Sequence, residues 1–112
     1  MDCLFCSIIK GDIPSAKVFE NDSVYAFKDI NPNAPVHVLV VPKMHIDSLD
    51  CVCTDNLSAV SAVVAAIPEV ARLCGLVSGY RVITNIGEDG GQSVKHLHFH
   101  ILGGEKLPVK LA

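Results

Sequence analysis

The sequence lacks both an excess of basic residues and any long hydrophobic run. Its 112 residues include nine lysines and arginines against twelve acidic residues, and the net charge is −3. A chain without a basic field is a poor candidate for binding nucleic acid. The most apolar stretch, residues 57–67, ends at Pro68 and is far shorter than the roughly 20 residues that span a bilayer. We therefore expect neither nucleic acid nor a membrane as a partner.

An even set of cysteines is also missing, since the chain has five. The first residues, Met1 to Cys3, lack the basic and apolar regions of a signal peptide. Unpaired cysteines are typical of reducing compartments, where they serve as free thiols or as metal ligands. We therefore expect a cytoplasmic protein without disulfides.

Repeats, low-complexity tracts and linkers are absent too, which favours a single domain over residues 1–112. Period-2 and period-3.6 patterns predict a short helix over 7–10, a long helix over 57–73, and strands over 17–20, 24–30, 37–41, 80–86 and 95–102. Thr54 or Asp55 is expected to cap the long helix, and Pro68 to kink or split it. Mostly short connections between the strands predict an α+β fold with a mostly antiparallel five-stranded sheet.

The segment K-H-L-H-F-H-I-L, residues 95–102, alternates polar and apolar side chains strictly. Such alternation is typical of a strand with one face on the core, here the face of Leu97, Phe99 and Ile101. The opposite face would carry His96, His98 and His100.

Three interpretations of this histidine row are open. The histidines could simply be solvated. They could bind a catalytic metal ion, with His37 or His45 completing the ligand set. Alternatively, His98 could be a nucleophile, because neutral imidazole is available and basic near pH 7 and a covalent intermediate divides one difficult displacement into two easier ones.

The loop before the histidine row favours the nucleophile. Residues 90–93, Gly-Gly-Gln-Ser, offer backbone N–H groups, an amide and a hydroxyl, and turns of this kind form anion-binding concavities. An anion site beside a row of imidazoles suits phosphoryl or nucleotidyl transfer, which depends on positioning and on charge stabilisation.

The pattern His-φ-His-φ-His-φ-φ, where φ is apolar, resembles the mark of the histidine triad (HIT) family, specifically its Hint-like branch. Residues 96–102 match the pattern throughout, and further similarity lies in residues 27–32, in 35–43, at Asn85 and in 90–94. The resemblance extends from Leu4 to Gly104. It implies a HIT-like fold with one long and one short helix, and a nucleoside phosphoramidate or nucleotide hydrolase that acts on purine nucleotides through a nucleotidyl-histidine.

The resemblance also implies roles for individual residues. His98 would be the nucleophile, His100 and Ser93 would contact the phosphate and leaving group, and His37 would support the histidines. Asp29 would accept the ribose hydroxyls, and Asn31 lies in the same matched segment. Positions that enclose the base correspond to Leu4, Phe5, Ile8, Phe27, Ile30 and Leu39. Positions that hold the phosphate correspond to Asn85, Gly91, Gln92, Ser93 and Val94.

Some of these implied roles have an ordinary structural alternative. Phe27 and Leu39 would be core residues in any such sheet. The resemblance implies a homodimer joined through helices and sheet edges, whereas helix 58–66 could equally pack on its own sheet. The tail, residues 105–112, has no aromatic residue, which leaves the choice of leaving group open.

A metal site away from the chemistry is suggested by Cys3-Leu4-Phe5-Cys6. A C-x-x-C pair is half of a structural zinc site, but alone it is also compatible with redox chemistry or free thiols. Related proteins of the wider superfamily use two N-terminal cysteines, a histidine after the third strand and the first triad histidine. By this resemblance the zinc ligands would be Cys3, Cys6, His45 and His96. Three readings of the whole chain therefore stand: a nucleotide hydrolase, a metal-dependent hydrolase, and a nucleotide-binding module with incidental turnover.

Overall fold

The computed structural model describes residues 3–110, which form an α+β fold as predicted. The elements are a short helix α1, a long helix α2, a 3-10 turn at Leu49–Cys51, and five strands. The helices are α1 (Leu4–Lys10) and α2 (Leu57–Leu73); the strands are β1 (Lys17–Glu20), β2 (Val24–Lys28), β3 (Val36–Pro42), β4 (Arg81–Ile83) and β5 (Phe99–Gly103). The strand order is β1-β2-β3-β5-β4, and every neighbouring pair is antiparallel.

Each face of the sheet carries its own apolar cluster. The α2-side core joins the sheet to α2 and includes Val24, Ala26, Val38, Val40, Val63, Ile67, Val70, Leu97, Phe99 and Ile101. The α1-side cluster lies on the other face and consists of Phe5, Ile8, Tyr25, Phe27, Leu39 and Val41. Alternation along the strands thus places Leu97, Phe99 and Ile101 in the α2-side core, as predicted, and directs the histidines to the face covered by α1.

The histidine strand is shorter than predicted, because β5 begins only at Phe99. Its neighbour β3 ends at Pro42, which has no N–H to donate. The segment before β5 instead bonds to the chain beyond β3, where the Leu97 amide donates to the Ile46 carbonyl at 2.6 Å. His96 and His98 therefore lie in the bent segment that leads into β5, and His100 lies within the strand.

Two further strands end earlier than predicted. β2 stops at Lys28, and Asp29 Oδ1 accepts the Asn31 amide at 2.8 Å, so the chain turns there. β4 stops at Ile83, because the next two side chains serve other partners. Thr84 Oγ1 donates to the His98 carbonyl at 2.9 Å. The Asn85 side-chain amide donates to the Gly90 carbonyl within residues 85–94, which we call the glycine loop.

The predictions about the two helices need correction in three places. α1 begins at Leu4 rather than residue 7, since the Sγ of Cys3 accepts the Cys6 amide at the N-cap. Neither Thr54 nor Asp55 caps α2; Asn56 occupies that position without a side-chain capping bond. Pro68 does not split α2, because it lies on the exposed face, where the carbonyl that loses its partner can bond to water.

In the part of the chain described, neither helix has the length and apolar character that crossing a bilayer demands.

Candidate active site and metal centre

His98 is held in a single tautomer by its own backbone. Its Nδ1 lies 2.7 Å from the His96 carbonyl, which can only accept, so Nδ1 carries the proton and Nε2 carries the lone pair. Within residues 3–110, Nε2 has no hydrogen-bond partner, and no fully buried side-chain nitrogen there lacks one. The lone pair of Nε2 therefore reaches the surface, although the ring as a whole is only 4% exposed.

The surroundings of His98 keep its ring neutral. Burial lowers its pKa below the ordinary value, and this effect outweighs the His96 carbonyl and the Asp29 charge, which both raise it. The Phe5 ring meets the imidazole edge-on, with centroids 5.0 Å apart. A neutral, oriented imidazole with an accessible lone pair has the properties of a nucleophile.

His100 and His37 form a directional chain of hydrogen bonds. The Asn33 amide donates to His37 Nδ1 at 3.1 Å, so a neutral His37 carries its proton on Nε2. That Nε2 lies 2.9 Å from His100 Nδ1, which must then accept. His100 consequently carries its own proton on Nε2, which has no hydrogen-bond partner within residues 3–110. Its ring centroid lies 5.0 Å from that of His98, so a hydrogen-bond donor lies beside the His98 ring.

His100 is strongly biased towards the neutral form. Burial, followed by the nearby His98 and His37, lowers its pKa to about 4, against the opposing charge of Asp29. The N–H of a neutral imidazole is therefore the group that His100 presents at neutral pH.

Asp29 lies beside this chain of histidines. Its Oδ2 is 3.4 Å from His37 Nε2, while its Oδ1 accepts the Asn31 amide. The carboxylate is thus oriented by the turn that ends β2 and keeps acceptor capacity for a further donor. Asn31 itself is exposed and contributes its backbone amide.

The residues predicted to enclose a base divide into two groups. Phe5, Ile8, Phe27 and Leu39 are all buried in the α1-side cluster, so their packing role is established by the structure. Leu4 and Ile30 are 48% and 90% exposed and are the members free to contact a ligand.

The glycine loop is held by the side chains that border it. Gln92 uses its whole amide internally: Oε1 accepts the Gly87 amide, and Nε2 donates to the carbonyls of Asp47 and Val94. Asn85 donates to the Gly90 carbonyl at 2.8 Å. The prediction that these two amides meet a phosphate is therefore less well supported than a role in shaping the loop.

Two glycines in this loop are required by space and conformation. A Cβ on Gly90 would lie 2.3 Å from the Ile86 carbonyl oxygen, and Gly91 has a φ of +80°. Ser93 is exposed, and Val94 packs against the α1-side cluster. The loop thus leaves backbone N–H groups and the Ser93 hydroxyl as the donors available to an anion.

The four predicted metal ligands come together in space. The ligand atoms of Cys3, Cys6, His45 and His96 all lie within 4.8 Å of one another. Sulfur-to-Nδ1 distances are 3.3 Å for Cys3–His96, 3.4 Å for Cys6–His45 and 3.6 Å for Cys6–His96. Tetrahedral zinc with ordinary bond lengths separates sulfur and nitrogen ligands by about 3.5 Å. The donor set therefore fits a metal ion of this kind.

In both histidines of this cluster, the Nε2 atom, which is not the atom facing the cysteines, also has a hydrogen-bond partner. His45 Nε2 donates to Asp47 at 2.8 Å, and His96 Nε2 donates to the Pro42 carbonyl at 2.8 Å. Such partners fix a ligand's tautomer and direct the other nitrogen at the metal. Burial also lowers the pKa of His96, which keeps the ring in the neutral form that a metal ion requires.

Two of the interpretations of the histidine row are wrong. The solvated interpretation fails because His96 and His98 are 0% and 4% exposed. The shared-ligand interpretation fails because, across residues 3–110, His96 joins the cysteines and His100 joins Asp29 and His37, while His98 belongs to neither cluster.

Sequence patterns did not reveal several residues that matter here. Asn33 and Pro42 act through backbone groups, for which side-chain identity carries no signal. Thr84 is an ordinary strand residue in sequence. Asp47, two residues after His45, is the one whose residue type and spacing offered a usable sign.

The comparisons with known proteins agree with this geometry. The profile of the HIT domain matches residues 10–107. Protein HitA of Neisseria gonorrhoeae is 41% identical over 102 residues, covering 91% of this chain and 95% of that protein. A HIT family hydrolase from Clostridium thermocellum superposes with a TM-score of 0.95 at 44% identity, covering 99% of this chain and 97% of the other. A histidine triad protein from Clostridium difficile does so with 0.93 at 53%, with the same coverage. The chain belongs to the histidine triad family.

Proposed function

We propose that this protein is a nucleotide hydrolase or nucleotidyl transferase that acts through a covalent nucleotide on His98. Its substrates would be purine nucleoside phosphoramidates or adenylyl conjugates. Membership of the HIT family and the similarity to proteins named HIT family hydrolases support the general class. The observation that carries the proposal is the 2.7 Å bond from His98 Nδ1 to the His96 carbonyl, because it leaves Nε2 as the attacking atom.

In the first step the lone pair of His98 Nε2 attacks phosphorus, and the bond between phosphorus and the leaving nitrogen or oxygen breaks. The leaving group takes its proton from solvent, while the N–H of His100 Nε2 and the Ser93 hydroxyl donate hydrogen bonds that hold it as the bond breaks. The modified His98 ring is positively charged, since both nitrogens are now substituted. The His96 carbonyl and the Asp29 carboxylate, which favour the charged ring, stabilise that charge.

In the second step a water or another acceptor attacks the same phosphorus, and the bond between phosphorus and Nε2 breaks. The incoming water loses its proton to solvent, which restores the proton that the leaving group took up in the first step. His37 orients His100 for its contacts with the ligand, since its Nε2–H donates to His100 Nδ1.

The ligand would span the surface between α1, the β2–β3 turn and the glycine loop. Asp29 would accept the ribose hydroxyls, and Asn31 would border the same turn. The base would contact the exposed Leu4 and Ile30 above Phe5, Ile8, Phe27 and Leu39. The phosphate would meet the backbone of the loop that contains Asn85, Gly91, Gln92, Ser93 and Val94.

His98→Asn is the sharpest test of this mechanism. An asparagine Nδ2 can donate to the His96 carbonyl in place of the imidazole, but it offers no nucleophilic lone pair. Wild-type protein mixed with an adenosine phosphoramidate and quenched without acid should gain the mass of one nucleotidyl group, located on His98. The variant should gain none, and its turnover should fall by several orders of magnitude.

Turnover comparable to wild type in His98→Asn would contradict the proposal and would favour a binding module with incidental activity. The melting temperature of both proteins serves as the control, because it separates loss of the nucleophile from loss of the fold.

We also propose that Cys3, Cys6, His45 and His96 hold a structural zinc ion. Zinc in such a closed four-ligand set supplies cross-linking rather than reaction chemistry. It would tie α1 to the segment that carries His98 two residues further on. The cysteines of this chain form no disulfides in the structure, and thiols that bind metal suit the reducing, cytoplasmic compartment that we propose.

A homodimer completes the proposal. β4 forms one edge of the sheet, and its Val82 is 42% exposed beside a 38% exposed Tyr80. α2 likewise exposes Val64 at 54%. A second copy of the chain that packed against the β4 edge and α2 would cover these apolar side chains and the unpaired backbone N–H and C=O groups of β4.

A further inference from the structure

A second group of metal-ligating atoms lies outside the cysteine cluster. Asp29, His37 and His100 each offer one such atom, and the three atoms lie within 4.8 Å of one another. His37 Nε2 is 2.9 Å from His100 Nδ1 and 3.4 Å from Asp29 Oδ2. His37 is thus the central member, with one nitrogen facing both of the others.

These distances suit a metal ion as well as they suit a hydrogen bond. Ligands at about 2.0–2.2 Å from one ion are separated by roughly 3.0 to 3.4 Å in octahedral or tetrahedral arrangements. Two imidazoles and one carboxylate are a ligand set that transition metals accept with positions left open. The side chains of His37 and Asp29 are 2% and 19% exposed, so the cluster is largely shielded from solvent.

We infer that Asp29, His37 and His100 bind a divalent transition-metal ion of the zinc class in place of the hydrogen bond between the two histidines. The two states exclude one another, because the ion needs both nitrogen lone pairs whereas the hydrogen bond needs a proton on His37 Nε2. Neither the cysteine cluster nor His98 takes part, so this site is separate from both.

Metal binding at this site would change the tautomer of His37, and this change can be detected at the Asn33 amide. When the ion binds, the proton of His37 moves from Nε2 to Nδ1, where it faces the Asn33 amide at 3.1 Å. Two donors cannot share that contact, so the segment around Asn33 must shift. The ion therefore binds more weakly here than at the cysteine cluster, and its arrival disturbs the Asn33 amide.

One consequence rests on the proposed function. With an ion in place, His100 loses its partner in the hydrogen-bond chain and Asp29 loses its free acceptor atom. Both groups are assigned to turnover above, so occupancy of this site should inhibit the enzyme.

Binding is tested with the metal alone. Purified full-length protein, stripped of metal, is dialysed against rising concentrations of Co²⁺, and bound metal is counted while absorption is recorded. Wild type should bind in two steps: a tighter one with thiolate-to-cobalt charge-transfer absorption, and a weaker one without it. His37→Asn and His100→Asn should each weaken the second step by at least about 10-fold. Asp22→Asn, an exposed acidic residue in neither cluster, should keep both steps.

The thiolate step reports whether each variant is folded, since it depends on groups from both ends of the chain. In wild-type protein the amide signal of Asn33 in a ¹H–¹⁵N spectrum should move only during the second step, here measured with Zn²⁺. Survival of the weaker step in both histidine variants would overturn the inference, and so would saturation of wild type at the thiolate step alone.

The failure of this inference and that of the proposed function give different results. If His98→Asn loses turnover and wild type shows no second metal-binding step, the proposed enzymatic function stands and the proposed metal site is wrong. If the second metal-binding step disappears in His37→Asn but His98 of the wild type never gains a nucleotide, the metal site stands and the proposed enzymatic function is wrong.

Discussion

At the residue scale, the neighbours of each histidine determine what it does. His96, His98 and His100 have the same side chain two residues apart, yet their partners are cysteines, a backbone carbonyl and another histidine. The sequence pattern predicted that the three would share a face. The alternation alone did not predict their different partners, which come from residues up to 93 positions away; the cysteines beside His96 were expected only from the family resemblance.

The low pKa of His100 makes a prediction about stability. Its pKa is about 4 in the folded protein and about 6.5 in an unfolded chain. Between these values the unfolded chain binds more protons, so stability falls as the pH drops from 6.5 to 4. Because the ring is only partly buried, we expect His100 to contribute on the order of 2 kcal/mol to that fall.

Urea unfolding of wild type and His100→Asn across this range measures the contribution. The variant should lose less unfolding free energy than wild type between pH 6.5 and 4. Titrating groups that both proteins share cancel in the difference. Parallel curves for the two proteins would contradict the assignment.

Gly90 makes a second prediction at this scale. A Cβ there would lie 2.3 Å from the Ile86 carbonyl oxygen and 3.0 Å from its nitrogen, and backbone atoms cannot rotate away as a side chain can. Gly90→Ala should therefore destabilise the protein by about 1–3 kcal/mol and lower turnover by distorting the loop. Asp89→Ala, an exposed neighbour, is the control and should change the urea midpoint little. Equal midpoints for the two variants would count against the close approach.

At the element scale, α1 is positioned by contacts that its own sequence does not contain. Seven residues are too few for a stable isolated helix. α1 is held by Phe5 and Ile8 in the α1-side cluster and by the contacts of Cys3 and Cys6 with His45 and His96. The C-x-x-C spacing indicated a metal site, but only the fold brings the histidines to it.

Removal of zinc should therefore act on α1 and on the segment before β5 together. Zinc-loaded protein treated with a strong chelator should melt several degrees lower, since a ligand bound only to the folded state stabilises it by mass action. Cys6→Ser should abolish the chelator's effect, whereas Cys74→Ser, a half-buried cysteine outside the cluster, should preserve it. A melting temperature that is unchanged by chelation in metal-analysed holoprotein would refute the structural zinc.

At the scale of the whole molecule, the exposed sheet edge matters most. β4 has only three residues, and short edge strands limit unwanted pairing, yet Val82 and Tyr80 remain accessible there. Light scattering after size exclusion should give twice the chain mass for wild type. Val82→Lys should give a larger monomer fraction, because a charge would have to be buried at the interface.

Asp12→Lys is the matched control for this experiment. It places the same side chain at an exposed position just after α1, which covers the face of the sheet opposite to α2, and should leave the mass unchanged. A wild-type protein that remains monomeric at high concentration would contradict the proposed homodimer.

The sequence by itself determined the two-faced sheet, the long helix and the family. Alternation in residues 95–102 and the helical period in 57–73 are local properties of the sequence. They indicate which side chains become buried when the chain folds. Only the tertiary structure decided where the strands end and which tautomer each histidine holds. Those outcomes depend on single hydrogen bonds to groups such as the His96 carbonyl and the Asn33 amide. Every residue type offers the same backbone atoms, so the sequence carries no sign of which of them a side chain will meet.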